Sequence, residues 1–129
     1  MINIILIDDE VDWLDIVKTM LHSTLNRELN VLTFLSTSAA FDHIMKSEEK
    51  IDCIISDYLI PDDITGLDLY YKLIENKKEK NFILISNSKI PPDRIKELVQ
   101  KKIVYLPKSF LVVKNFVKKH LEDILEIND

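Results

Sequence analysis

Five polar residues of this chain each lie at or just beyond the end of a short apolar run. Asp8 and Asp9 follow Ile2–Ile7, Asp57 closes the run that begins at Ile51, Ser86 follows Phe82–Ile85, and Lys108 follows Ile103–Leu106. Three carboxylates meeting at one crevice repel one another, and at neutral pH they need a cation or a proton. Oxygen ligands suit a small hard ion, and magnesium is usually held by a few carboxylates together with substrate phosphate. Lys108 adds a positive charge and Ser86 a hydroxyl donor. A carboxylate nucleophile, a magnesium ion, a lysine and a hydroxyl are what in-line phosphoryl transfer needs: the cations neutralise the transferring oxygens while geometry aligns attack. Each residue alone has an ordinary reading. An Asp-Asp pair caps helices, a lysine after a strand is solvated, and a serine there begins a turn. Five of them at the ends of four of the five strands are hard to obtain by accident, so the chemical reading leads.

The elements that must bring these residues together alternate strand and helix five times. The stretch Ile51-Asp52-Cys53-Ile54-Ile55-Ser56-Asp57 has the continuous apolar character of a strand buried on both faces of a parallel sheet, with its carboxylate at the carboxyl end, where open parallel sheets bind ligands. Before it stand strands over Ile2–Ile7 and Val31–Leu35; after it, strands over Phe82–Ile85 and Ile103–Leu106. The first helix is expected to be capped by Asp12, with Leu14, Val17, Leu21 and Leu25 inward and Trp13, Ile16 and Met20 widening that face. Ser36, Thr37 or Ser38 caps the second, which turns Ala40, Phe41, Ile44 and Met45 inward. Thr65 and Asp68 form a capping box that starts the third near Gly66, with Leu67, Tyr70, Leu73 and Ile74 inside. Pro91-Pro92-Asp93 opens the fourth, whose inner residues are Ile95, Leu98 and Val99. The last carries Phe110, Val113, Phe116, Val117, Leu121 and Ile124 inside. Right-handed crossovers then give one parallel sheet with helices on both faces. By analogy the order is 2-1-3-4-5, an α/β flavodoxin-like (βα)5 three-layer sandwich, which collects Asp8, Asp9, Asp57, Ser86 and Lys108 at one edge.

Composition excludes several other classes. With 129 residues, 47% of them hydrophobic and 30% charged, the chain suits one globular domain over residues 1–129. A net charge of −5 argues against capture of nucleic acid by the domain as a whole. The lone cysteine, Cys53, excludes an internal disulfide and reads as an inert core residue. No apolar run approaches the length of a membrane span, and Met1 leads straight into a strand, so the cytoplasm is the expected location.

The pieces Leu6-Ile7-Asp8-Asp9-Glu10, Ser56-Asp57-Tyr58-Leu59-Ile60-Pro61 with Gly66, Ile85-Ser86, and Tyr105-Leu106-Pro107-Lys108 together resemble the receiver domain of two-component response regulators, over essentially the whole chain. The resemblance implies that Asp57 accepts a phosphoryl group from a sensor histidine kinase or phosphotransfer protein. It implies magnesium held by Asp9, Asp57 and the Leu59 carbonyl, with Asp8 acting through water. Ser86 and Lys108 contact the phosphoryl oxygens, and Tyr105 is an aromatic switch residue that moves with Ser86. The switched surface is helix four, strand five and helix five, read by a downstream protein target. The chain is then not an enzyme but a phosphoacceptor with weak self-dephosphorylation, a monomer or weak homodimer, contacting neither nucleic acid nor membrane.

Three features depart from the usual pattern. The loop between Asp57 and the glycine is one residue longer and carries Asp62 and Asp63. Asn87 replaces a small residue beside Ser86. Ser109 stands where a proline usually follows the lysine, and since a cis bond before a non-proline residue costs about 2.5–4 kcal/mol, Lys108–Ser109 is expected to be trans, with Ser109 capping the last helix. Leu59 and Ser88, neither able to orient water well, imply slow loss of the phosphoryl group. Competing readings are a pseudo-receiver that is never phosphorylated, a receiver cut from a longer regulator with an output domain, and an aspartate-nucleophile phosphatase, which would carry a second carboxylate where Leu59 stands.

Overall fold

The computed structural model describes residues 1–61, 63–78, 80–87 and 90–125. Its strands are β1 (Ile2–Ile7), β2 (Leu29–Phe34), β3 (Cys53–Asp57), β4 (Asn81–Ser86) and β5 (Val104–Pro107), and its helices α1 (Val11–Thr24), α2 (Thr37–Lys46), α3 (Gly66–Glu75), α4 (Pro92–Lys101) and α5 (Phe110–Phe116). All strand pairings are parallel and the order is β2-β1-β3-β4-β5, the flavodoxin-like winding expected by analogy. β3 sits at the centre and every one of its residues is buried.

Strand side chains alternate between the two faces. Ile4 and Leu6 of β1, Cys53 and Ile55 of β3, and Ile83 and Ile85 of β4 pack with Leu14, Val17 and Leu21 of α1 and with Val113 of α5. Their neighbours Ile5, Ile7, Ile54 and Leu84 point the other way and pack with Ala40 and Ile44 of α2, Leu67 and Leu73 of α3, and Leu98 of α4. Apolar residues are therefore needed on both faces through the buried middles of β1, β3 and β4, which is why these strands read as apolar runs. Cys53 is fully buried, and that burial pushes its thiol up to about 12, so it is an inert core group as expected.

Several local expectations change. Asp12 is not the cap of α1: Glu10 occupies that place with no side-chain bond, and Asp12 lies in the first turn, where its charge still favours the helix dipole. Ile16 and Val99 are 48% and 62% exposed, because each sits one residue from an inward position and is rotated out of the buried arc. Phe110, the first residue of α5, is also partly exposed, at 38%, and Ser109 takes the cap position without a hydroxyl cap bond. Leu69 is fully buried although it was not among the expected inner residues of α3. Beyond Phe116 the last helix passes through a wide π-type turn over Val117–Leu121. Val113, Val117 and Leu121 are all buried at a spacing of four.

Ser36 caps α2 by accepting from the Ala39 N–H, and Thr65 with Asp68 forms the full capping box of α3. No helix among the described residues is long and apolar enough to cross a membrane.

Candidate functional site

The register places Ile7 opposite Ser56 and Asp57 opposite Ile85, so Asp8 and Asp57 emerge side by side from neighbouring strands. Asp8 is buried, with its N–H donated to the Phe34 carbonyl at 3.1 Å. Its Oδ1 accepts the Glu10 N–H at 2.8 Å, which turns the chain directly into α1. Asp9, between them, is exposed. Carboxylate oxygens of Asp8, Asp9 and Glu10 lie within 4.8 Å of one another.

Asp57 is also buried, and its Oδ1 faces the Leu59 N–H at 3.4 Å. Beyond it the loop is pinned at several points. Tyr58 N–H donates to the Ile85 carbonyl and Gly66 N–H to the Tyr58 carbonyl, both at 2.8 Å. Thr37 Oγ1 donates to the Ile64 carbonyl at 2.8 Å. Asp63 accepts from the Ser38 hydroxyl and N–H; against a small burial penalty these bonds hold its carboxyl down to about 2. Of the two acids in this lengthened loop, Asp63 ties the loop to the start of α2, whereas Asp62 lies outside the described residues. The chain's one glycine is required by space. A Cβ on Gly66 would lie 2.6 Å from the Asp57 carbonyl oxygen and 2.7 Å from Leu84 Cδ2.

Lys108 arrives from the other side. Its N–H donates to the Ser86 carbonyl at 2.9 Å, and no described peptide bond is cis, so Lys108–Ser109 is trans as the local energetics require. Its ammonium, almost fully enclosed, lies 2.9 Å from Asp8 Oδ2, 3.2 Å from Asp8 Oδ1 and 3.5 Å from Asp57 Oδ2. It also meets the Glu10 carboxylate and sits 5.4 Å from the centre of the Trp13 ring. Glu10 and Trp13 are the site residues that sequence reasoning missed. Both lie on the first turns leading from Asp8-Asp9, so the signal was there, but only the folded path of Lys108 brings it to them.

Burial, followed by the charge of Asp8, pushes the Asp57 carboxyl up to about 6, while Lys108 and the Leu59 N–H pull the other way. The apolar wall responsible surrounds a small cavity of about 10 Å³ bordered by Asp57, Leu6, Trp13, Ile55 and Ile85. Burial likewise raises Asp8 against the Glu10 N–H and Lys108. Burial works against the Lys108 charge, but Glu10 and Asp8 outweigh it and hold the ammonium well above its usual range. Ser86 ends β4 half-buried and Asn87 beside it is exposed; Tyr105 is 38% exposed on β5, level with Leu84. Ser88 lies outside the described residues.

The donor set fits a hard cation. All its groups are oxygens, and Asp8 Oδ2 is a buried oxygen with no hydrogen bond, the nearby Lys108 being an ion-pair contact off the hydrogen-bonding angle. A surface groove of about 360 Å³ between α1 and α5, lined by Ile16, Met20 and Phe110 among others, contains none of these residues.

Residues 4–122 match the family model described as the response regulator receiver domain. No curated protein sequence matches the chain. Among solved structures, the chain resembles a response regulator receiver domain protein from Clostridium thermocellum at 19% identity and a TM-score of 0.73, over 98% of this chain and 95% of that one. It resembles the receiver domain of Francisella response regulator 1452 at 16% identity and a TM-score of 0.77, over 98% of each chain. The non-phosphorylated HemR receiver domain of Leptospira biflexa is similar at 19% identity and a TM-score of 0.75, over 100% of this chain and 98% of that one.

Proposed function

The chain belongs to the response regulator receiver domain family, and from that premise we propose that Asp57 is its phosphoacceptor, charged by a sensor histidine kinase or phosphotransfer protein. A carboxylate oxygen of Asp57 attacks the phosphorus of a phosphohistidine. The P–N bond breaks, its electron pair returns to the imidazole nitrogen, which takes a proton, and an aspartyl phosphate remains. The observation that carries this reading is the seat of Lys108, whose ammonium lies 2.9 Å from Asp8 and 3.5 Å from Asp57. A cation already held within reach of Asp57 can meet oxygens that gain charge during transfer. Ser86, at the end of the neighbouring strand, supplies a hydroxyl to the same oxygens.

Asp8, Asp9 and Asp57, with the Leu59 carbonyl, would hold magnesium, which when bound offsets the charge of the carboxylates and of the phosphoryl oxygens. Apolar walls behind Asp57 keep water from that side of the carboxylate. Phosphorylation then biases a two-state rearrangement read on α4, β5 and α5, with Tyr105 following Ser86. That face is open: Val99, Tyr105 and Leu111 are exposed on it. A downstream protein is the reader, and residues 1–129 act as one receiver unit.

Incubation with magnesium and acetyl phosphate, followed by intact-mass measurement, tests the acceptor. The wild type is expected to gain the mass of one phosphoryl group and Asp57→Asn none. A wild type that stays at its original mass would leave the pseudo-receiver reading, and a gain retained in Asp57→Asn would move the acceptor elsewhere.

A further inference from the structure

We propose that Glu10 is a positioning residue for Lys108. Together with Asp8 and the Trp13 ring it forms a resting berth for the ammonium, and charging Asp57 requires Lys108 to be handed from Glu10 to the phosphoryl group. The handover rests on the phosphoacceptor reading above; the berth itself does not.

An ammonium has three N–H donors. Two of them are engaged on the near side of the crevice, by Asp8 Oδ1 at 3.2 Å and by the Glu10 carboxylate. The contact with Asp57 is 3.5 Å, longer than an ordinary N–H···O bond of about 2.7–3.2 Å. The Trp13 ring, 5.4 Å away, adds cation–π attraction on the same side. The acceptor carboxylate is thus the least well served of the three.

Glu10 is placed to do this by its backbone. Its N–H is held at 2.8 Å by Asp8 Oδ1, and the residue occupies the cap position of α1, so its side chain starts from a fixed point beside the berth. Its own side chain is 60% exposed whereas that of Lys108 is 6% exposed. A pair with one partner in solvent is weak and screened by salt. The hold is therefore releasable, and the long, flexible stem of lysine allows the ammonium to swing toward new charge on Asp57.

Trp13 is the chain's only tryptophan, so its indole N–H resonance reports the berth without ambiguity of assignment. Spectra of the ligand-free wild type, Glu10→Gln, Lys108→Met and the double variant form a cycle that isolates the effect passing through Lys108. Glu10→Gln is expected to move the indole resonance when Lys108 is present and to leave it in place in the Lys108→Met background. At saturating magnesium, Glu10→Gln is expected to tighten beryllofluoride binding and speed charging by acetyl phosphate about two- to five-fold, the range of an exposed ion pair, with Glu10→Asp between. The gain shrinks as ionic strength rises. A resonance shift that persists in Lys108→Met overturns the berth, and beryllofluoride binding that is unchanged or weaker in Glu10→Gln overturns the handover. A wild type that neither binds beryllofluoride nor gains phosphoryl mass refutes the acceptor reading and the handover together, while the ligand-free cycle still decides the berth.

Discussion

At the scale of single residues, the buried Asp57 carboxyl costs the fold stability. Its carboxyl is pushed up to about 6 by burial and by Asp8, from an unfolded value near 3.9. A folded-state value above the unfolded one means that the native state binds the proton more tightly. Stability from this group is present below about pH 4 and is lost as pH rises through about 6. In the absence of metal, Asp57→Asn is therefore expected to be more stable than the wild type at pH 7.5 by about 1–3 kcal/mol, with the difference shrinking toward pH 4.5. Lys108 keeps Asp8 and Glu10 in that variant, so no buried cation is orphaned. Urea unfolding in EDTA at the two pH values measures this, and a wild type as stable as the variant at pH 7.5 would count against the burial argument. Leu59 bears on the opposite end of the cycle. Its side chain, two residues beyond the proposed acceptor, is half exposed and carries no group that could orient water. Leu59→Asn is expected to shorten the life of the aspartyl phosphate several-fold, followed as loss of phosphoryl mass after the donor is removed.

Among the elements, the turn from β3 into α3 has the least freedom. Gly66 is needed not for an unusual backbone angle, since no described glycine has positive φ, but because the Asp57 carbonyl and Leu84 leave no room for a Cβ. Gly66→Ala must displace either the acceptor strand or the start of α3. Overpacking of this kind costs about 1–3 kcal/mol. Charging of Asp57 should fall along with stability, whereas a core defect far from the site would lower stability alone. Thermal unfolding and the phosphoryl mass gain measured on the same preparation separate the two. Elsewhere the helix ends do without glycine: Lys77 and Lys102 adopt left-handed angles after α3 and α4, where glycine is the usual choice.

Across the whole molecule the helices are unequally anchored. α1 buries Leu14, Val17, Met20 and Leu21, whereas α4 buries only Leu98, with the Tyr71 hydroxyl bonded to Glu97 from α3. An element with so few buried side chains opens at low cost. Amides of α4 are expected to exchange with deuterium faster than those of α1 in the free protein. On adding beryllofluoride with magnesium, protection should change in α4, β5 and α5. Changes confined to α1 and α2 would refute the proposed readout face.

The strands and their polar ends were legible in the sequence because strands buried on both faces leave apolar runs that stop abruptly, whereas the order came by analogy; that order brings Asp8, Asp57 and Lys108 together. Local chemistry was legible too: the Thr65–Asp68 capping box and the trans Lys108–Ser109 bond depend on neighbours along the chain. Only the tertiary structure decided which apolar residues face inward, as Ile16, Val99 and Phe110 show, because a helix position one residue off the stripe is settled by what packs beside it. It alone decided why residue 66 must be glycine, since the atoms that exclude a Cβ belong to β3 and β4. And it alone decided where Lys108 rests. The spacing of charges along the chain specifies that a lysine reaches the carboxylates, but the path of its side chain past Trp13 to Glu10 is set by how α1 and β5 stand against one another across β1, β3 and β4.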